Sequence, residues 1–317
     1  MELIHQLGEL AAPREPAIVT IGNFDGVHLA HRQLLESVVA GARTRGARAV
    51  AVTFDPHPIK LLAPDRVPKV LTPLEQKARL IEKLGIDVLV AFPFTKHLAH
   101  LAPAEFVRQV LVEGLAAAAV YVGPNFRFGY RQAGDVEALK ALGRAEGFQV
   151  EVLPFVEIRG QRVSSTRIRE LIAAGMVHSA CRLLGRPFSN SGRIVAGLGY
   201  GHRHTVPTLN LSPVEEMHPR IGVYVSRTRL AGVAHDSVTN VGHKPTFGTH
   251  DLSIETYLLN FRGEVQESEM EIEYLFRLRD EIKFQNPAIL KVQIEDDARR
   301  SLQYFRLVRR LQHSQKE

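Results

Sequence analysis

Short runs built mainly of Ala, Val, Ile, Leu and Phe recur at 17–21, 47–54, 88–92, 119–122 and 149–155, with amphipathic stretches between them at 29–43, 73–84, 103–111 and 135–146. Strands that are apolar at nearly every position, rather than at alternate ones, have to be covered on both faces. Helical stretches between them make βαβ units, so this half predicts an α/β fold with a buried parallel sheet. In such sheets ligands bind beyond the C-terminal ends of the strands, where this sequence turns rich in Gly, Pro and His.

The texture changes after about residue 185. Runs at 192–197, 223–230, 238–241, 254–261 and 270–275 are separated by Gly/Pro/His-rich turns, and a charged helix is expected from Pro287 to about Leu311. Short strands with turn signals predict an antiparallel β-barrel closed by a terminal helix. A chain of 317 residues is too long for one ordinary core. The boundary is expected within 184–188, giving domains 1–184 and 185–317.

Composition narrows the function. With 45% hydrophobic and 23% charged residues the chain is expected to be globular rather than disordered. Forty basic against 34 acidic residues give a formal charge of +6, which suits an anionic partner. No basic run of five and no aromatic-interleaved basic stripe is present, so no nucleic-acid partner is expected. The single Cys181 excludes an internal disulfide and reads as a small hydrophobe on an amphipathic helix. The first residues lack a basic stretch followed by an apolar one, and no run has membrane-spanning length. A cytoplasmic protein without membrane contact is expected, as a monomer or weak homo-oligomer.

The first strand runs into Gly22, Asn23, Phe24, Asp25, Gly26 and Val27, and a helix is expected from about His28. A helix N-terminus there offers N–H groups and a positive dipole end to a phosphate. His28 and His31, three apart, share one face of its first turn and can donate to an anion. Two surface histidines, or zinc ligands lacking a third partner, are the alternatives. After the second strand, Pro56 and Pro58 fix a loop that presents Asp55 and His57. After the fourth, Asn125 can meet a ring edge, Phe126 and Phe128 can stack, and Arg127 can meet a phosphate. After the fifth come Ser164, Ser165, Thr166, Arg167 and Arg169, with hydroxyls at a helix cap followed by arginines, a second anion site. Taken alone, the histidine pair reads more often as two surface histidines and the loops at 54–58 and 123–129 more often as ordinary turns, while 164–169 reads as readily as an ordinary capped helix.

In the second half a loop with Gly197, Gly199 and Gly201 lets backbone N–H groups approach a polyphosphate. Thr208 and Asn210 face one way on an extended segment and offer hard oxygens suited to Mg²⁺. Glu255 stands in an apolar run, either facing solvent or held to accept a proton.

Together GNFDGVHLAH at 22–31, FDPHP at 54–58, GPNFRFG at 123–129 and SSTRIR at 164–169 resemble the FMN adenylyltransferase domain of bacterial bifunctional riboflavin kinase/FAD synthetases. The resemblance implies a Rossmann-like nucleotidyltransferase domain, with ATP at Gly22, Asn23, His28, His31, Ser164, Thr166 and Arg167. It implies FMN near Asp55, Pro56, Pro58, Asn125 and Arg127. The family's glycine between the two histidines is Ala30 here.

PTLN at 207–210, GHKPTFG at 242–248 and LRDEIKF at 278–284 resemble the riboflavin kinase domain of the same family. That implies ATP along Gly197, Gly199, Gly201, Thr208 and Asn210, with Mg²⁺ on the last two. It implies Glu255 as the base for a ribityl hydroxyl and Arg279 on the flavin side. Leu198, Tyr200, Thr205 and Val206 depart from the family's loop, so an active kinase with an altered phosphate loop is expected. The expected function is ATP- and Mg²⁺-dependent conversion of riboflavin to FMN and of FMN to FAD. A monofunctional adenylyltransferase with a flavin-binding barrel, and a non-catalytic flavin sensor, are the alternatives.

Overall fold

The most apolar runs form the inner strands of one six-stranded parallel sheet. In the computed structural model its strands are β1 (Glu2–Ile4), β2 (Ala17–Ile21), β3 (Arg48–Phe54), β4 (Val88–Phe92), β5 (Ala117–Val122) and β6 (Gln149–Val152), in the order β1-β4-β3-β2-β5-β6. The structure describes residues 1–6, 15–62, 65, 67–195, 208–212, 216–243 and 252–314, and falls into two units, Met1–Ser165 and Thr166–Glu317. β1 escapes the sequence pattern because it is three residues long, with two of them exposed. β6 ends at Val152, earlier than expected, with Leu153 N–H still bonding Val122 O just beyond it.

Side chains alternate between two apolar layers. Val19, Ile21, Val50, Val52, Val90 and Val120 face one, while Ile18, Ala49, Ala51, Leu89 and Ala119 face the other. Helix α1 (Leu29–Arg45) covers the second layer with Leu35, Val38 and Ala42, all fully buried. Burying a Leu or Val side chain stabilises by about 1.5–3 kcal/mol. α1 ends on Gly46 at φ 59°, which lets its N–H return to Ala42 O. The helix expected over 103–111 starts at Pro103 and runs to Gly114, its Val107–Gly114 part wound in the wider π form. The chain winds β2→β3→β4 to one side of β2 and then crosses to β5 on the other, so the ends of β2 and β5 flank the topological switch.

In the second unit the helices Ser165–Ala173 and Val177–Leu184 precede a closed antiparallel barrel. Its strands are β9 (Phe188–Val195), β10 (Leu209–Leu211), β11 (Gly222–Leu230), β12 (Val233–His243), β13 (Leu252–Leu258) and β14 (Glu269–Arg279), ordered β10-β13-β12-β11-β14-β9. A two-residue pair, β7 (Glu157–Ile158) with β8 (Gln161–Arg162), lies in the connection before it. Cys181 is half-buried on Val177–Leu184, and burial pushes its thiol up. The terminal helix Pro287–Ser314 lays Ala298, Leu302 and Phe305 on Val225, Val238, Tyr257, Leu275 and Leu278, which therefore mark the barrel's outer surface.

The opposite parity points inward and is partly polar. Ser226, Ser237, Thr228, Thr256 and Thr239 are fully buried and hydrogen-bond in a closed ring, with O···O distances of 2.7–3.1 Å. Each hydroxyl can donate to one neighbour and accept from the other, so the ring satisfies itself without water. β12 was expected only over 238–241 and runs from Val233 to His243, and its inward Ser237, just outside the expected run, looks solvent-facing in sequence. Thr228→Val keeps the shape and leaves two buried hydroxyls short of a partner. It is expected to lower barrel stability by about 1–3 kcal/mol, read as a shifted denaturant midpoint at unchanged slope.

Candidate functional site

The residues after β2 form a strained turn into α1. Phe24 (φ 46°) and Val27 (φ 37°) occupy the left-handed region beside Gly26 (φ 86°). Such non-glycine conformations cost on the order of 1–3 kcal/mol each and persist where surroundings hold them. Here the buried Asp25 carboxylate accepts the N–H groups of Leu71 (2.9 Å) and Thr72 (3.1 Å), and Gly26 N–H donates to Thr72 Oγ1 at 2.6 Å. Lys77, on the helix Leu74–Glu82, is also buried and donates from Nζ to Asn23 O at 2.8 Å. A Cβ at Gly22 would stand 3.2 Å from the Phe24 ring, a tight contact that the ring would have to shift to relieve.

His28 is the N-cap of α1, its Nδ1 accepting the His31 N–H at 3.3 Å. The proton of a neutral His28 ring is therefore on Nε2. The His31 ring stacks on His28 with centroids 3.6 Å apart, and Phe24 meets it edge-on at 5.3 Å. His31 Nδ1 is buried and has no partner among the described residues. An orphaned acceptor is tolerated better than an orphaned N–H, which places the proton of neutral His31 on Nε2 as well. Burial first, then His28 and Lys77, hold the His31 pKa well below the usual imidazole value. Two stacked imidazoles thus stand at a helix N-terminus beside the switch point.

The flanking loops leave the same edge of the sheet. After β3, Asp55 and Pro56 are exposed and joined by a cis peptide bond, while His57 and Pro58 are half-buried. After β5, Asn125 is exposed and Arg127 approaches Asp135 at 3.5 Å. Asn125, Arg127, Lys140 and Val152 help line an open groove of about 570 Å³. Phe128, expected to stack on a ring, is instead buried against Phe126 and Phe106. Ser164 is half-buried, and the Ser165 hydroxyl donates to Asp25 O at 2.8 Å. On the second unit's side of the division, Thr166 is exposed and Arg167 pairs with Glu170 at 2.9 Å.

On the barrel, strand register puts Asn210 opposite Glu255, Glu255 opposite Asn240, Asn240 opposite Val223 and Val223 opposite Arg279. Val223 shares parity with Val225, so this row lies on the outer surface, opposite in parity to the hydroxyl ring. Asn210 is 4% exposed, and its Oδ1 has no partner among the described residues. An unpartnered hard oxygen buried beside a carboxylate suits a divalent cation. Glu255 is half-buried and its Oε1 accepts from Ser253 Oγ at 2.9 Å. Thr208 is half-buried just before β10, whereas Gly197, Gly199 and Gly201, with Leu198, Tyr200, Thr205 and Val206, lie outside the described residues.

Arg279 ends the row, but its guanidinium is engaged by Asp297 of the terminal helix at 2.7–3.1 Å and lies over the Phe284 ring at 6.0 Å. Asp297 is 2% exposed. Asp297→Ala leaves that guanidinium unpaired and is expected to destabilise the barrel by about 3 kcal/mol, measured by equilibrium denaturation. The sequence signalled neither Asp297, Asn240, Lys77 nor the role of Asp25. A polar residue braced by tertiary contacts carries no local pattern.

Two family models match the chain: FAD synthetase over residues 11–167 and riboflavin kinase over residues 184–305. The bifunctional riboflavin kinase/FMN adenylyltransferase of Pseudomonas fluorescens is 34% identical over 94% of this chain and 96% of its own. That of Escherichia coli K12 is 33% identical over 96% and 97%, and that of Listeria monocytogenes 33% identical over 91% and 92%. A solved structure described as a macrolide-efflux protein from Streptococcus pneumoniae superposes with a TM-score of 0.84 at 26% identity, covering 93% of this chain and 96% of that one. No helix among the described residues is long and apolar enough to cross a membrane.

Proposed function

We propose a residue-level division of labour for a chain that belongs to the bifunctional riboflavin kinase/FMN adenylyltransferase family. The chain phosphorylates riboflavin to FMN and adenylylates FMN to FAD. Residues 1–184 carry the second step and residues 185–317 the first.

The stacked His28–His31 pair at the N-terminus of α1 is the observation that carries the adenylyl-transfer reading. An FMN phosphate oxygen attacks the α-phosphorus of ATP, a P–O bond forms, the α,β-bridging bond breaks, and pyrophosphate leaves. Both histidines direct Nε2–H donors at the phosphate oxygens, where negative charge shifts toward the leaving group. Positioning and charge neutralisation suffice, with no nucleophilic side chain. ATP also rests on Gly22, Asn23, Ser164, Thr166 and Arg167. FMN lies against Asp55, Pro56, Pro58, Asn125 and Arg127, where the groove offers room.

In the kinase step Glu255 accepts the proton of the ribityl hydroxyl as its oxygen attacks the γ-phosphorus, and ADP leaves. Thr208 and Asn210 would hold Mg²⁺ with ATP, and the buried, unpartnered Asn210 Oδ1 supports that assignment. Bound there, Mg²⁺ neutralises charge on the ATP phosphates. Gly197, Gly199 and Gly201 would follow the polyphosphate, and Arg279, fixed by Asp297, would wall the flavin side. With ATP and flavins as substrates, we place the protein in the cytoplasm, as a monomer or weak homo-oligomer that binds no nucleic acid.

Mass-resolved product analysis tests both steps at once. With riboflavin and Mg²⁺–ATP, FMN is expected to rise first and FAD to follow at its expense. FAD formed only when FMN is supplied would leave an adenylyltransferase with a silent barrel. No turnover of either flavin would leave a binding protein.

A further inference from the structure

An amphipathic helix ordinarily turns its lysines to solvent, yet Lys77 is only 6% exposed. Its ammonium passes beneath the β2–α1 turn and donates to Asn23 O at 2.8 Å and toward Thr53 Oγ1 at 3.5 Å. Thr53 Oγ1 in turn donates to the same carbonyl at 3.1 Å. Burying an ammonium is unfavourable unless it is bonded and paired. Burial lowers the Lys77 pKa, while Asp25 and Asp55 favour its charged form. A Met or Leu at this place would fill the space more cheaply, so the charge and its bond to Asn23 call for another reason.

We infer that Lys77 is a positioning residue for adenylyl transfer: its buried ammonium clamps the Asn23 carbonyl beneath the turn that carries His28 and His31, and so holds that turn ready for an anion. The inference rests on reading that turn as the triphosphate site. In a trans peptide the carbonyl and the next N–H point opposite ways. Drawing Asn23 O inward therefore turns the Phe24 N–H to the other side and helps set Phe24 at φ 46°. The Phe24 ring in turn abuts His31 edge-on at 5.3 Å. The clamp thus reaches His31 through one residue of strained backbone and one ring contact. The ammonium also adds a fixed positive charge behind the helix N-terminus, where an anion is favoured. With burial and His28, it keeps His31 neutral. Buried as it is, Lys77 orients the groups that meet the phosphates rather than meeting them itself.

The test uses the full chain with Lys77→Met, measuring kcat and KM for FAD formation from FMN, FMN formation from riboflavin, and the His31 titration by NMR. The groups that set this titration are His28 on the same helix start and Lys77 on the neighbouring helix. A misplaced turn is expected to lower kcat for FAD formation about 100-fold, with FMN formation unchanged. The His31 titration is expected to move upward, but lost burial would raise it too. The readout that mere loss of packing would not produce is the fall in kcat at little-changed KM, with the kinase step at the parental rate. FAD formation within about threefold of the parent, with the His31 titration unmoved, overturns the inference. If Lys77→Met does not fold, the same measurements on Lys77→Gln decide it, because glutamine carries no charge and is one bond too short to clamp the Asn23 carbonyl as the ammonium does at 2.8 Å. A folded Lys77→Gln chain with parental kcat for FAD formation also overturns it. His31→Ala run in parallel separates the two failures: if it too retains FAD formation, the triphosphate reading falls, and if it alone loses FAD formation, only the Lys77 clamp falls.

Discussion

His31→Ala is expected to lower FAD formation from FMN by about 100- to 1000-fold while FMN formation from riboflavin continues at the parental rate. On the proposed reading His31 would present a donor where charge develops on the phosphate of the transferred adenylyl group, and alanine would leave that charge to water. The loss should fall on kcat, because the interaction strengthens in the transition state. The variant should also change how the first unit responds to acid. Burial, His28 and Lys77 hold the His31 pKa well below its ordinary value, so the unfolded chain takes up this proton before the folded one does. Stability therefore falls as pH drops below about 6.5, the unfolded imidazole pKa, and keeps falling until the folded pKa is reached. His31→Ala removes that component and is expected to flatten the acid limb of the stability profile. Denaturation midpoints between pH 5 and 7 check it. Retained FAD synthesis would mean that the chemistry is misassigned.

Glu255→Gln is the matching prediction for the barrel. It should reduce FMN formation by about 100- to 10,000-fold, the range for loss of a positioned general base. Glutamine keeps the volume and can still accept from Ser253, so the fold and ligand affinity should change little. FAD formation from supplied FMN should be untouched, since the other unit performs it. Riboflavin turnover at the parental rate would remove Glu255 from the proton path and leave it a structural neighbour of Asn210.

The two site descriptions were legible in the sequence to different degrees. The turn at 22–31 could be placed because a buried parallel strand, a glycine and a helix start are all local patterns. The barrel row was legible only as separate residues: Asn210, Glu255 and Arg279 become neighbours through cross-strand register. Arg279 shows the limit of a motif, since its partner Asp297 lies on the terminal helix. Phe128 shows another, because an aromatic in a loop reads as open until the core claims it.

By itself the sequence determined the α/β-then-barrel order, the capped helix behind His28, and the residue types that make two phosphorus chemistries possible. Each follows from periodicity or from a turn, which are properties of neighbouring residues. Only the tertiary structure decided what braces those groups. Asp25 against Leu71 and Thr72, Lys77 beneath Asn23, the hydroxyl ring inside the barrel, and the unpartnered Asn210 oxygen beside Glu255 all join segments distant in the chain. Burial and hydrogen-bond satisfaction are properties of the packed chain, and a buried polar group looks in sequence like any solvated one.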